Sequence, residues 1–184
     1  MKQPRILYVD HTAALGGAEL YLLDIVRYQR NTACVVVFEE GLFPERLRLS
    51  DVPVEVVEAG PSLMGVTRDA QKWTAVFALP EVLRLARVIA KLAKDYDVIY
   101  ANSQKALIVA AAAGRMARLP VIWNLHDIIT SEHFGRMNRR VAITLANRMV
   151  KTVIVNSEAT RKAFVESGGR APTHLVYNGI VAIS

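Results

Sequence analysis

Five times along this chain an apolar, β-branched-rich run stops on a small polar residue. The runs are Ile6–His11 (ILYVDH), Val98–Ser103 (VIYANS), Val121–Asp127 (VIWNLHD), Val153–Glu158 (VIVNSE) and Leu175–Gly179 (LVYNG). A strand covered by helices on both faces reads as a short continuous apolar run, so the pattern predicts a buried parallel sheet. Open sheets of that kind hold their ligands outside the carboxyl ends of the strands. The runs therefore gather Asp10, His11, Asn102, Ser103, His126, Asp127, Asn156, Ser157 and Asn178 on one edge. That edge is the predicted functional site.

Between these runs the periodicity supplies the remaining elements. Strands are expected at Arg5–Asp10, Ala33–Phe38, Val54–Val57, Val98–Ala101, Val121–Leu125, Thr152–Asn156 and Thr173–Tyr177. Helices are expected at Ala18–Arg30, near Pro44–Leu49, and at Leu79–Lys94, Gln104–Ala117, Phe134–Met149 and Glu158–Ser167. Gly60–Trp73, with Pro61 and Gly65, reads as irregular. Strand and helix alternate throughout, which predicts an α/β fold: a Rossmann-like, mostly parallel sheet of about seven strands flanked by helices. At 184 residues, 52% of them hydrophobic, the chain is read as a single domain spanning 1–184.

Composition narrows the partners. The longest apolar stretch, Ala106–Ala113, is too short to span a bilayer. The first run is broken by Asp10 and His11, so no signal peptide is expected. The lone cysteine, Cys34, lies in the run ACVVVF and can form no internal disulfide, which fits a reducing, cytoplasmic setting. A formal net charge of +6 favours anionic partners such as nucleotides, phosphorylated acceptors or an acidic membrane face. Zinc-type Cys/His spacing and RNA-binding aromatic motifs are both missing, so no nucleic acid is expected.

The loop His11–Glu19 (HTAALGGAE) lacks GxGxxG and is no P-loop, which disfavours a dinucleotide or P-loop enzyme. Gly16-Gly17 lets the backbone approach a ligand, and the free N–H groups opening the next helix favour an anion. A tight structural turn explains the same pair. Glu19, in the first helical turn, also suits the helix dipole.

Taken together, GGAE (Gly16–Glu19), DVIYANS (Asp97–Ser103), PVIWNLHD (Pro120–Asp127), VIVNSEATRKAF (Val153–Phe164) and VYNGI (Val176–Ile180) resemble the amino-terminal, acceptor-side half of a GT-B fold retaining glycosyltransferase of family 4. The resemblance implies a nucleotide-sugar donor of the UDP or GDP type, a saccharide or lipid-linked acceptor, no metal or other cofactor, and a carboxyl-terminal donor lobe absent from this chain, which alone would be inactive. It implies that Gly16 and Gly17 approach the donor diphosphate and that His126 is catalytic, lying by the transferred sugar. Glu19, Asn102, Ser103, Asp127, Asn156 and Ser157 would bind acceptor or sugar. The family often carries Arg after GGAE; here Leu20 stands there. Glu158 and Glu166 match the family's E-x7-E spacing but fall on a helix beside Arg161 and Lys162, where ion pairing is expected. Asp95-Tyr96-Asp97 mimics a metal-binding DxD, yet precedes a strand and so belongs to the opposite edge.

Arg84, Arg87, Lys91 and Lys94 form a basic stripe opposite Val82, Ala86, Ile89 and Ala93. It reads as a solvated outer face over a core-facing stripe. The alternative is an anionic membrane surface bound peripherally, aided by Leu42, Phe43, Leu63, Met64, Val66, Trp73, Phe77 and the Arg136/Arg139/Arg140 cluster. Competing functions are a non-catalytic acceptor- or membrane-binding lobe, a subunit of a split transferase, and a nucleotide-sugar epimerase of GT-B fold.

Overall fold

A computed structural model describes residues 3–64, 78–129 and 135–179. Seven strands form one sheet in the order β3-β2-β1-β4-β5-β6-β7, and every pairing is parallel. They are β1 (Ile6–Val9), β2 (Ala33–Val37), β3 (Val54–Val56), β4 (Val98–Ala101), β5 (Val121–Leu125), β6 (Thr152–Val155) and β7 (Thr173–Leu175). Among the described residues the helices are α1 (Gly17–Tyr28), α2 (Leu42–Arg48), α3 (Pro61–Met64), α4 (Leu79–Leu92), α5 (Gln104–Ala117), α6 (Arg136–Met149) and α7 (Glu158–Glu166).

The continuous apolar runs have the cause expected of them: successive strand residues enter two different cores. Leu7 and Val9 pack with Leu85, Ile89, Leu107, Val109, Ile143 and Phe164. Tyr8, between them, packs with Leu22, Val26, Phe43 and Leu47. Cys34 and Val36 repeat the first pattern, Val35 and Val37 the second. Cys34 is buried and unpaired, a small core side chain as expected.

Three expectations need correction. Pro61–Met64 is a turn of helix rather than irregular chain, with Leu63 and Met64 N–H groups donating to Gly60 O; residues 65–73 and Phe134 lie outside the described residues. The long helix ends at Leu92 and tightens into a 3₁₀ turn over Ala93–Asp95, a common helix terminus. Of the side chains offered for a membrane face, Phe43 and Leu63 are buried in the two cores. Leu42 is 61% exposed, whereas Val66, Trp73 and Phe77 fall outside the described residues. The core-facing stripe of α4 is buried as expected, at Val82, Leu85, Ala86 and Ile89. No helix among the described residues is long and apolar enough to cross a membrane.

The sheet order carries the functional consequence. The chain winds outward from β1 through β2 to β3, then returns to place β4 on the other side of β1. Successive crossovers diverge there, and a crevice opens past the strand ends.

Candidate functional site

Strand register assembles the site. Val9 pairs with Ala101 and Ala101 with Trp123, so the next residues, Asp10, Asn102 and Asn124, come side by side. Leu125 pairs with Val155, which sets His126 beside Asn156. Asp10 is fully buried, and Asn102 and Asn124 are nearly so. Buried polar groups stand only when hydrogen-bonded, and these bond to one another. Asn102 Nδ2 donates to Asp10 Oδ2 at 2.6 Å. Asn124 Nδ2 donates to Asn102 Oδ1 at 3.1 Å and lies 2.6 Å from His126 Nε2. The other Asp10 oxygen takes the His11 backbone N–H at 2.6 Å.

Asn102, Asn124 and His126 line a cavity of about 280 Å³, walled also by His11, Gly17, Glu19, Ser103, Trp123 and Asp127 among others. Among the described residues no Lys or Arg belongs to its wall. It offers hydrogen bonds rather than countercharge, an environment suited to hydroxyl groups. Tyr21 stands edge-on to the His126 ring, with centroids 5.6 Å apart. Burial lowers the His126 pKa, against the opposing pull of Asp10 and Asp127. Burial thus favours the neutral ring.

Helix ends place the loop residues. Glu19 turns back so that its Oε2 accepts the Gly16 N–H at 2.9 Å, covering a donor the helix would otherwise leave open. A Cβ on Gly16 would lie 2.7 Å from that oxygen, so a side chain there would displace the Glu19 carboxylate from its cap. Burial, then the Asp10 charge, raises the Glu19 pKa, while hydrogen bonds to its own and the Gly16 backbone N–H pull the other way. Ser103 caps α5 by accepting Ala106 N–H. Its Oγ also lies 2.8 Å from His11 Nδ1, and Asp10 Oδ1 lies 3.3 Å from the same nitrogen. Asp10, His11 and Ser103 therefore do not form a hydrolytic triad, which needs the two ring nitrogens to face the two partners.

The predicted residues separate into groups. His126, Gly17, Glu19, Asn102, Ser103 and Asp127 border one cavity. Asn156 and Ser157 were expected in the same pocket; the wall does not include them. Asn156 Nδ2 instead donates to His126 O at 3.2 Å, its Oδ1 accepts Thr160 Oγ1, and Ser157 caps α7. They brace the rim. Gly16 is exposed and does not line the cavity, and Asn178 is exposed beyond β7. Asn124 was missed, although an amide inside a buried apolar run (VIWNLH) is itself a signal that a polar partner waits beside it.

The two motif coincidences resolve as ordinary surface structure. Glu158 pairs with Arg161 at 2.7 Å and Glu166 with Lys162 at 3.8 Å. Asp97 accepts the Arg5 N–H at the amino ends of β1 and β4, across the sheet from the cavity. Among the described residues no cluster of His, Cys, Asp and Glu is arranged to hold a metal.

Residues 16–179 match the model of the glycosyl transferase 4-like domain. Among solved structures, Anabaena Alr3699/HepE in complex with UDP and glucose is 40% identical, with a TM-score of 0.83 over 97% of this chain and 45% of that one. The same protein in complex with UDP-glucose superposes with a TM-score of 0.80 at 41% identity, covering 97% of this chain and 44% of that one. The lipopolysaccharide outer core galactosyltransferase WaaB, in its apo form, shares the fold at 10% identity and a TM-score of 0.69, over 95% of this chain and 46% of that one. The chain thus spans less than half the length of these relatives. No curated protein sequence matches it significantly. The matched residues run from the Gly16-Gly17 loop to the last strand end, and the chain belongs to the glycosyl transferase 4-like family as an amino-terminal domain of GT-B type.

Proposed function

We propose that the chain is the acceptor-side lobe of a retaining glycosyltransferase, moving a sugar from a UDP- or GDP-sugar to a saccharide or lipid-linked acceptor. One observation supports this most. The cavity at the β1/β4 switch point, lined by hydrogen-bonding side chains, belongs to a chain 40% identical to a protein captured with UDP and glucose. That likeness favours UDP over GDP as the donor nucleotide. In this reading a second, donor-binding lobe faces the cavity, and the 184-residue chain alone does not turn over.

The chemistry asks little of the wall. The bond from the sugar's anomeric carbon to the leaving phosphate breaks while the acceptor oxygen bonds to that carbon on the same face. The acceptor's proton passes to a phosphate oxygen. No protein nucleophile is required. His126, kept neutral, hydrogen-bonds the transferred sugar as charge develops. Gly17 leaves room for the diphosphate, and Glu19, Asn102, Ser103 and Asp127 hold hydroxyls. UDP-N-acetylglucosamine 2-epimerases also share the fold, at 10% and 11% identity, a likeness of fold alone.

The test is a panel of UDP- and GDP-sugars offered to this protein together with its donor lobe, with product stereochemistry read by NMR. Transfer from a UDP-sugar with the anomeric configuration kept is expected. Inverted product, or epimerised donor without transfer, overturns the reading.

A further inference from the structure

We propose that Asp10 is a positioning residue which, through Asn102 and Asn124, fixes His126 as the tautomer carrying its proton on Nδ1. The argument needs only donors and acceptors. Each oxygen of the buried Asp10 carboxylate already receives an N–H, from His11 N on one side and Asn102 Nδ2 on the other, both at 2.6 Å. A carboxylate can only accept. Asn102 must therefore present its NH₂ to Asp10 and turn its carbonyl toward Asn124 and His126. Asn124 faces that carbonyl and must in turn present its own NH₂, 3.1 Å away.

The second hydrogen of the Asn124 amide is left for His126 Nε2, at 2.6 Å. An approach that close between two nitrogens stands only if one of them offers a lone pair. Nε2 is therefore bare, and the neutral ring carries its proton on Nδ1. Asn102 Oδ1 also lies within hydrogen-bond distance of Nε2, at 3.1 Å. The opposite tautomer, with Nε2–H donating there, would require the Asn124 amide to turn its oxygen toward the Asn102 carbonyl and set two acceptors about as close as that donor now stands. The lowered His126 pKa agrees, because an imidazolium would need a hydrogen on Nε2. A ligand reaching Nδ1 then meets a donor rather than an acceptor. That this ligand is the transferred sugar rests on the proposed function; the tautomer does not.

Substituting Asp10 gives a sharp consequence. In Asp10→Asn the new amide must keep its oxygen toward the His11 N–H, so its NH₂ faces Asn102. Asn102 then flips to offer its carbonyl, Asn124 flips to follow, and Nε2 must become the donor. One change 92 residues away in sequence from Asn102 should reverse the ring.

The experiment is long-range ¹H–¹⁵N correlation NMR on the histidine-labelled chain, with His126 among the four histidines assigned by loss of its signals in His126→Gln. The wild type is expected to show the Nδ1–H pattern and Asp10→Asn the Nε2–H pattern. Asn124→Leu, which deletes the donor to Nε2, should also give Nε2–H and carries the test if Asp10→Asn fails to fold. A wild-type Nε2–H signal, or substituted chains that keep Nδ1–H, overturns the proposal. Since no transfer is measured, failure here leaves the glycosyltransferase reading standing, and failure of that reading leaves the tautomer intact.

Discussion

A Cβ placed on Gly17 would meet nothing within 4 Å, whereas one on Gly16 would press on the Glu19 carboxylate. Adjacent glycines thus divide two tasks. Gly16→Ala should lower stability by about 1 kcal/mol, the usual worth of a lost helix cap, as read by urea unfolding. Gly17→Ala should leave unfolding unchanged yet slow sugar transfer at least about tenfold, because the added methyl enters the space proposed for the diphosphate, and about 1.4 kcal/mol of lost transition-state binding is tenfold in rate. Equal effects of the two on stability would contradict this division. Glu19 makes a separate prediction. Its folded pKa is raised, so the native state holds its proton more tightly than the unfolded chain does. Stability from that group is then full at low pH and declines as pH rises through the raised value. Glu19→Gln, which keeps an oxygen for the Gly16 N–H, should gain on the wild type in thermal midpoint between pH 4 and pH 7. A constant difference across that range would remove Glu19 as the source.

At the scale of elements, α5 and β5 are locked by a contact with no slack. A Cβ on Gly114 would stand 2.3 Å from Val121 Cγ2 and 3.1 Å from Leu119 O. Gly114→Ala gains roughly 1 kcal/mol of helix propensity but overpacks a filled core, at a cost of about 1–3 kcal/mol. A net loss of stability by chemical denaturation is expected; a net gain would show that Val121 yields freely. Val121 opens the strand that carries Asn124, so the site's precision begins at this contact. Element identity was largely legible because period and burial agree here. β4, β5 and α5 have the bounds their patterns predicted, since Ser103 caps α5 and Pro120 precedes β5. The ragged ends lie where the cause is not local. Asp10 and Asn156 extend apolar runs in sequence, yet their partners lie on other strands. Asn124 was hidden for the same reason: its role exists only once register sets it beside Asn102. Phe43 and Leu63 look exposed in a polar context and are buried by helices whose placement the sequence does not state.

For the whole molecule, one feature of topology organises the rest. The reversal of winding between β1 and β4 brings residues from chain positions near 10, 102 and 126 to a single rim. Charge is arranged differently: the chain is net +6, yet among the described residues no Lys or Arg lines the cavity. The basic character belongs to outer faces such as Arg87 and Lys91 on α4, where an anionic membrane could be met without disturbing the cavity. Liposome co-sedimentation at low and high salt reads that surface independently of turnover. The central claim is that the strand-end rim performs sugar transfer, with His126 at its working end. Its most direct test is the turnover of His126→Ala in the protein joined to its donor lobe. A fall in kcat of roughly 100-fold, the worth of one well-placed donor to developing charge, is predicted in a chain still folded by circular dichroism. Near-normal turnover from that folded variant would contradict the account.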